Sequence, residues 1–165
     1  MTGVEALARK FMLPPVSQIG VVVRDVDRTA EFYSSNFGIG PFTIYEFSPD
    51  HYWHHEKPAH MRQKQGKAML GSIELELVQP LEGESIYHEF LETEGEGLNH
   101  LGFNVAEADY DVICAGIKEA GFQTVLRVES FSKKYNGWLR ACCFDTRRVG
   151  GVMFEILYKS WLAKP

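Results

Sequence analysis

Two pairs of polar residues carry the side chains of this sequence that are best suited to chemistry. Gln18 lies in the segment S-Q-I-G-V-V-V, and His100 lies in the similar segment N-H-L-G-F-N-V. Glu76 follows Gln18 by 58 residues, and Glu155 follows His100 by 55 residues. Zinc, cobalt, manganese and nickel ions all accept imidazole together with carboxylate and amide oxygens. The pattern predicts that these four residues hold one divalent metal ion, whose identity stays open among Zn, Co, Mn, Ni and Mg.

The spacing of the two pairs indicates an internal duplication. The offset of about 82 residues that matches Gln18 to His100 also matches glycines and helix-capping residues in the two halves. These further matches are Gly20 with Gly102, Asp27 with Asp109 as the expected helix N-caps, and, one residue off, Gly38 with Gly121 as the expected helix ends. Each half therefore begins with a strand and a helix.

The remainder of each half is typical of strands, so the chain is predicted to contain a βαβββ unit twice. In the first half the strands are predicted at 42–47, 60–70 and 72–78, and in the second at 123–129, 138–144 and 152–158. The fold class is then α+β, with two tandem modules forming a cupped mixed sheet and the helices outside. The expected boundaries are an extension at 1–15, module one at 16–80, a linker at 81–96 with a helix at 85–91, module two at 97–158, and a tail at 159–165.

Strand alternation predicts where the carboxylates point. In I-E-L-E-L, Glu74 and Glu76 share one face and the aliphatic residues share the other. Glu155 likewise lies opposite Phe154 and Ile156. Carboxylates on the inner face of central strands are costly to bury without a partner, so they require a cation. Alternation alone leaves Glu74 and Glu76 as competitors for the same ligand role.

Composition excludes several classes of function. The chain has 165 residues, a net charge of −5 and no block of Lys and Arg, which argues against a nucleic-acid partner or an anionic membrane surface. We see no apolar run of about 18 residues and no charged-then-apolar leader, so no membrane span or signal peptide is expected. Cys114, Cys142 and Cys143 are expected to be free, buried thiols in a reducing cytoplasm.

A second group of histidines is a rival candidate for a metal site. His51, His54, His55 and His60 lie in or beside the aromatic, proline-containing stretch D-H-Y-W-H-H-E-K-P. This stretch is predicted to be a loop, and a loop does not hold ligands in a rigid frame. A solvent-exposed loop is therefore favoured over a loop that covers a substrate, and both are favoured over a metal site.

Three segments resemble the vicinal oxygen chelate superfamily, and within it most closely the methylmalonyl-CoA epimerase branch. They are E-L-V-Q-P-L, E-G-E-G-L-N-H-L-G-F-N-V and G-G-V-M-F-E-I-L, and the overall resemblance spans residues 16–158. In that branch a metal ligand stands four residues before the proline, which implies Glu76 rather than Glu74. The first ligand of the family is often His, and this chain has Gln18 there.

Other positions separate the branches of the superfamily. Glyoxalase I has glutathione-binding Arg and Asn four residues after its first and second ligands, where this chain has Val22 and Pro80. This difference argues against glutathione as a co-substrate. Extradiol dioxygenases use two histidines and one carboxylate on iron, whereas the four residues here include one His. Bleomycin-type resistance proteins lack the metal ligands. Dioxygenase activity is therefore disfavoured, and a lactoylglutathione lyase-like isomerase and a non-catalytic ligand-binding or resistance protein stay as alternatives.

The resemblance implies a metal-dependent epimerase or racemase that removes a proton next to a carbonyl group. Glu155 or Glu76 is then the base, and His60 and Glu46 are candidates for the second acid. The family pattern has a Glu on the third strand, but residues 59–65 hold none, and Asn99 replaces the first His of an H-H pair. The resemblance also implies a homodimer.

The substrate is left open between an acyl-CoA thioester and an aromatic ketone such as an isoflavanone. Lys133, Lys134, Arg147 and Arg148 are the cations that could bind the phosphates of a coenzyme A group, although solvated charge is the default expectation. Aromatic residues that could line the cup are abundant, and the core or a dimer contact is the default expectation for them. They are Tyr45, Phe47, Tyr52, Trp53, Phe131, Tyr135 and Trp138.

Overall fold

The structure is a computed structural model that describes residues 11–148 and 150–162. The first ten residues of the predicted extension, residue 149 and residues 163–165 of the predicted tail lie outside the described residues. The strands are β1 (Gln18–Val22), β2 (Thr43–Phe47), β3 (His51–His54), β4 (Lys57–Pro58), β5 (Met61–Leu70), β6 (Ile73–Gly83), β7 (Gly97–Asn104), β8 (Thr124–Ser132), β9 (Gly137–Phe144) and β10 (Met153–Lys159). The helices are α1 (Val26–Phe37), α2 (Ile86–Thr93) and α3 (Glu107–Glu119).

The described strands form one curled mixed sheet in the order β2-β5-β6-β1-β7-β10-β9-β8-β3-β4. Within each module the first and last strands pair in parallel, β1 with β6 and β7 with β10. The two modules meet where β1 pairs antiparallel with β7. This arrangement confirms the predicted α+β class and the predicted duplication, and it brings the four central strands side by side.

The helices cover the outer face of the sheet. Helix α1 buries Val26 and Ala30 against Leu77, and α3 buries Ile113 in a second cluster that includes Ile156. Each such aliphatic side chain contributes on the order of 1.5–3 kcal/mol by leaving water. The same strands are therefore anchored from outside while their other face is left to line a cup.

The predicted helix ends are confirmed, but the predicted helix starts are wrong. Asp25 caps α1 by accepting a hydrogen bond from the backbone N–H of Arg28 at 3.0 Å, and Asp27 lies inside the first turn. Ala106 precedes α3 without a side-chain cap, and Asp109 lies inside its first turn. Both aspartates still stand where a negative charge favours the helix N-terminus, which explains why the pattern pointed to them.

The stretch D-H-Y-W-H-H-E-K-P, residues 50–58, is predicted to be a loop, and this prediction is wrong. Strands β3 and β4 form a hairpin, and β3 pairs antiparallel with β8 of the other module. Tyr52 of β3 is 4% exposed, so the hairpin contributes to the core. The short strands and the charged turn between them hid the strand alternation in the sequence.

Two further predictions concern the whole chain. The three cysteines are free and buried, as expected. Among the described residues no helix has the length and the apolar character needed to cross a membrane.

Candidate metal centre

The four residues predicted as ligands meet at the junction of the two modules. The Nε2 atom of His100 lies 3.3 Å from Oε1 of Gln18, 3.5 Å from Oε2 of Glu76 and 3.3 Å from Oε2 of Glu155. All four side chains are buried, with residue exposures of 5% or less. One nitrogen and three oxygens from β1, β6, β7 and β10 therefore face one another in the interior.

A reciprocal pair of glycines makes room for this arrangement. Across the β1–β7 ladder, Gln18 stands opposite Gly102 and Gly20 stands opposite His100. A Cβ atom added at Gly20 would overlap the His100 ring, and one added at Gly102 would lie 2.9 Å from Cβ of Gln18. Each module thus supplies one ligand and one glycine that admits the ligand of the other module. The repeated sequence spacing of ligand and glycine has this physical cause.

Hydrogen bonds orient the two uncharged ligands. The amide nitrogen of Gln18 donates to Oε1 of Glu74 at 2.7 Å, which turns the amide oxygen toward His100. Nδ1 of His100 lies 3.0 Å from Oδ1 of Asn99, and because that oxygen only accepts, Nδ1 carries the proton. Nε2 is then the ring nitrogen that faces the three oxygens. Such outer partners fix the tautomer and orientation of metal-binding side chains in proteins.

Two partly buried lysines, Lys67 and Lys159, enter the same site. Nζ of Lys67 lies 3.2 Å from Oε1 of Glu74 and 3.2 Å from Oε1 of Glu76, and Nζ of Lys159 lies 3.6 Å from Glu74. Burial lowers the pKa of Lys67, but the neighbouring carboxylates outweigh burial and leave that pKa raised, so the ammonium is charged. Part of the negative charge at the site is therefore balanced by this chain's own side chains.

The two carboxylates beside His100 differ in their electrostatic surroundings. Burial alone would raise the pKa of Glu76, but Lys67 and His100 lower it to about 2. Burial raises the pKa of Glu155, and the charge of Glu76 adds to this effect. His100 is the one ion-pair partner of Glu155 within the described part of the chain. Glu155 is consequently the carboxylate with the greater affinity for a proton.

The donor set fits a divalent ion. For a tetrahedral ion with bonds of about 2.0–2.2 Å, two ligands of the same ion are separated by about 3.3–3.6 Å. The three distances measured from His100 fall in this range. The ligand oxygens of Glu76 and Glu155 that face His100 lie more than 4.8 Å from each other, so these two residues and His100 do not form a tight group of three ligand atoms. The two carboxylates would have to approach each other to share an ion.

The site opens into a cavity of about 690 Å³. The inner face of β5 lines it through Met61, Gln63, Gln65 and Lys67, and six aromatic residues surround the rest. These aromatic residues are Tyr45, Phe47, Tyr87, Phe131, Tyr135 and Trp161. The cavity thus combines charged groups at the strand junction with apolar walls.

The residues predicted as the second acid do not share one environment. His60 is exposed and is not among the residues that line the cavity. Glu46 lines the cavity, but its carboxylate accepts a hydrogen bond of 2.6 Å from Arg62. The prediction missed Lys67, because the family pattern directed attention to a carboxylate on this strand. Alternate residues of the strand M-R-Q-K-Q-G-K share a face, so strand alternation indicates that Lys67 lies on the same face as Gln63 and Gln65.

The chain is similar to known proteins over most of its length. Residues 17–139 match the family model of the glyoxalase/bleomycin resistance protein/dioxygenase superfamily. An uncharacterized protein of Bacillus subtilis, YqjC, is 23% identical over 141 residues, which cover 86% of this chain and 89% of that protein.

Solved structures show the same fold. A methylmalonyl-CoA epimerase of Mycobacterium tuberculosis superposes with a TM-score of 0.60 at 21% identity, covering 90% of this chain and 93% of that chain. A variant of the Streptomyces coelicolor methylmalonyl-CoA epimerase in complex with 2-nitronate-propionyl-CoA gives 0.58 at 22% identity, covering 89% and 98%. A hypothetical protein of Bacillus halodurans gives 0.58 at 20% identity, covering 87% and 93%.

Proposed function

The chain belongs to the glyoxalase/bleomycin resistance protein/dioxygenase superfamily, and we propose that within it the protein is a metal-dependent epimerase or racemase. It would remove and return a proton at a carbon next to a carbonyl group. The observation that carries this proposal is the meeting of Gln18, Glu76 and Glu155 around Nε2 of His100 at 3.3–3.5 Å. The likeness to methylmalonyl-CoA epimerases is below 25% identity, so it supports the fold and leaves the reaction as a proposal.

Gln18, Glu76, His100 and Glu155 would hold the ion. A divalent ion bound there would polarise the substrate carbonyl and stabilise the negative charge that develops on its oxygen. The residues themselves exclude water from this region, because each of the four is almost completely buried. Asn99 and Glu74 keep His100 and Gln18 in the orientation that the ion requires.

Glu155 is the better candidate for the base that takes the proton. A general base needs a pKa raised toward the working pH, and burial raises that of Glu155 whereas Lys67 and His100 lower that of Glu76. In the forward step the C–H bond breaks, its electron pair moves toward the carbonyl oxygen, and the proton passes to a carboxylate oxygen of Glu155. Glu76 would then keep its charge throughout the reaction.

Lys67 replaces His60 as our candidate for the acid on the other face of the substrate. Its Nζ contacts Oε1 of Glu76, while Oε2 of Glu76 faces His100, so Glu76 separates Lys67 from the ligand histidine. Lys67 lines the cavity and is charged, and it would donate a proton to the carbon opposite Glu155. Exchange with solvent would return the proton from Glu155 and recharge Lys67 before the next turnover.

The walls of the cavity favour a substrate with a flat or aromatic part. Six aromatic side chains line it, and Tyr135 stacks on Trp161 at 4.9 Å between ring centroids. Of the four cations considered for coenzyme A phosphates, Lys134 lines this cavity, whereas Arg147 and Arg148 line a separate groove. An aromatic ketone with an acidic C–H is therefore preferred over an acyl-CoA, which stays the alternative.

Solvent exchange at the reacting carbon tests this proposal. Methylmalonyl-CoA, other 2-methylacyl-CoA thioesters and a set of isoflavanones would be incubated with the protein in D₂O, and deuterium at the α-carbon would be measured by NMR. We expect exchange with at least one class, its loss after metal removal, and its return when zinc, cobalt or manganese is added. Full exchange in the metal-free protein would overturn the proposal.

The matched variants separate chemistry from binding. Glu155→Gln should abolish exchange while the protein stays folded and still binds substrate, and His60→Gln should leave exchange within twofold of the wild type. Binding of these compounds without exchange would instead support the non-catalytic ligand-binding alternative. The isomerase alternative is tested with the hemithioacetal of glutathione and methylglyoxal as substrate. Its conversion to lactoylglutathione would support that alternative.

A further inference from the structure

We propose that His54, His55 and Glu89 form a second metal site, separate from the candidate centre around His100, that binds a zinc-class divalent ion. Nε2 of His54 lies 2.9 Å and Nε2 of His55 lies 3.0 Å from the same carboxylate oxygen of Glu89. These are direct contacts, and a shared ion with bonds of about 2.0–2.2 Å would move the ligand atoms apart to about 3.3–3.6 Å. In the described part of the chain this is the one group of three acidic, thiol or imidazole ligand atoms that all lie within 4.8 Å of one another. None of the three residues lines the cavity of the candidate centre.

The backbone at the hairpin turn is what brings the two imidazoles together. Consecutive residues of a strand point to opposite faces, so His54 and His55 would normally diverge. His55 and Glu56 instead have positive φ angles of 46° and 64°, which are uncommon for residues other than glycine. The turn folds the His55 ring back toward the His54 ring, with 4.4 Å between centroids. A strained backbone conformation of this kind persists only where contacts with the surrounding structure stabilise it.

His54 carries a buried nitrogen that its protein neighbours do not satisfy. Its Nε2 has almost no solvent exposure and no hydrogen-bond partner, although a carboxylate oxygen of Glu89 lies 2.9 Å away. A buried polar atom without a partner calls for a specific explanation, and an ion is one. A cation bound between the imidazole and the carboxylate would use the ring lone pair that is otherwise unsatisfied.

The chemistry of the three ligands selects the class of ion. Two imidazoles with one carboxylate suit zinc, nickel, cobalt or copper, whereas magnesium and calcium prefer a full set of oxygen ligands. His55 and Glu89 are about half exposed, so the remaining positions on the ion are open to water. The exposed carboxylate of Glu84 lies 3.6 Å from Nδ1 of His54 and adds negative charge beside the site.

Such an ion would fasten two parts of the fold. His54 ends strand β3, which belongs to the first module but pairs with β8 of the second, and Glu89 lies on α2, which links the modules. Tyr52 of the same hairpin and Tyr87 of α2 belong to one buried cluster. An ion at this position would hold the hairpin against the linker helix and stabilise that part of the core.

Zinc stoichiometry of the full-length protein tests the site. Metal-stripped protein would be titrated with zinc by calorimetry, and with cobalt by visible absorption. If both sites form, the wild type binds two equivalents. His55→Ala and Glu89→Gln should each bind one fewer, and the control His51→Ala, an exposed residue of the same hairpin, should bind as many as the wild type. Zinc should also raise the thermal midpoint of His100→Ala by several degrees, and fail to do so when His55→Ala is added.

The outcomes distinguish this site from the candidate centre. His100→Ala should lose the candidate centre and keep one equivalent at His54, His55 and Glu89, so failure of either site leaves the other measurable. The proposal is overturned if His55→Ala and Glu89→Gln bind zinc as the wild type does. It is equally overturned if His100→Ala binds no zinc while its circular dichroism shows a folded protein, because the contact would then be an ordinary histidine–glutamate pair.

Discussion

The side-chain amide of Gln18 donates a 2.7 Å hydrogen bond to Glu74, and this contact assigns different tasks to two glutamates on the same strand face. Because Glu74 takes the amide nitrogen, the amide oxygen of Gln18 is directed to His100. Glu76, two residues along β6, directs its own carboxylate to His100. Alternation put both glutamates on one face, and the hydrogen bond explains how one can serve as a ligand and the other as a support.

Removing the support should weaken metal binding without removing a ligand. Glu74→Ala frees the Gln18 amide to rotate, and we expect the metal affinity of the candidate centre to fall by about 10–100-fold at unchanged stoichiometry. Glu74→Gln should lose less, because its amide oxygen can still accept from Gln18. Zinc titration in a His55→Ala background isolates the centre, with the exposed Glu92→Ala as the control. Equal losses in Glu74→Ala and Glu92→Ala would contradict the assignment.

A single methyl group at Gly20 should disrupt the site from the neighbouring strand. The added Cβ would overlap the His100 ring, so Gly20→Ala must displace the imidazole or the strand. We expect loss of metal binding at the centre, and destabilisation of about 1–3 kcal/mol from overpacking. Chemical denaturation and zinc titration measure the two effects. Wild-type affinity in Gly20→Ala would show that His100 does not need the space above this glycine.

Replacing Lys67 should lower the stability of the metal-free protein and raise its affinity for metal. Lys67→Met removes the ammonium that contacts Glu76, while Lys159 stays beside Glu74. Breaking this partly buried ion pair should lower the stability of the metal-free protein by less than the cost of breaking a fully buried pair, which is about 3–5 kcal/mol. Loss of a positive charge beside the ligands should at the same time strengthen metal binding, so added metal should restore much of the lost stability. Inversion at the substrate carbon should nevertheless fall sharply, because Lys67 would protonate the face opposite Glu155, whereas exchange through Glu155 alone can persist. Denaturation curves with and without zinc test the first effect, and a Lys67→Met protein with full epimerisation activity would remove Lys67 from the mechanism.

Metal affinity at the centre should fall in acid. Burial lowers the pKa of His100, but Glu155 and Glu76 outweigh burial and leave that pKa raised above its usual value in the metal-free protein. Below the raised pKa a proton on Nε2 competes with the ion, and each displaced proton costs about tenfold in affinity per pH unit. The His100 contribution to metal-free stability has the corresponding sign: it is fully present below the unfolded pKa of about 6.5 and is lost as the pH rises through the raised folded value.

These pH effects can be measured separately. Calorimetric zinc titrations between pH 5.5 and about 8, in the His55→Ala background, give the affinity, and NMR of the imidazole gives the pKa of His100. Unfolding of the metal-free protein over the same range gives the stability. Affinity that does not change over this range would indicate that no proton on His100 competes with the ion.

The duplication and the convergence of Gln18, Glu76, His100 and Glu155 were predictable because strand parity and repeat spacing can be read directly from the sequence. Their role as metal ligands stays a prediction. The offset between Gln18 and His100 indicated two successive modules. Its physical cause is the reciprocal pair of glycines, Gly20 and Gly102, that makes room for the two side chains. The central strands and the outer helices followed from this offset, whereas the β3–β4 hairpin did not. The homodimer stays a prediction.

The parts that escaped prediction depend on contacts between distant segments. The β3–β4 hairpin leaves its own module to pair with β8, and no local pattern encodes the identity of that partner strand. Lys159 and Trp161 reach the cavity from beyond the expected end of module two, since β10 continues through Lys159. His60 was predicted from its place in the segment that corresponds to the family's third strand. Strand alternation instead places Lys67 on the face that lines the cavity.

Anomalous diffraction from crystals grown with zinc or cobalt tests the central claim most directly. The account predicts a peak within about 2.0–2.2 Å of Nε2 of His100, with Gln18, Glu76 and Glu155 completing the bonds and the two carboxylates drawn toward each other. The peak should be absent from crystals of His100→Ala. An absence of anomalous density beside His100 in the wild type, with His100 and Lys67 as the cations that contact Glu76, would contradict the account.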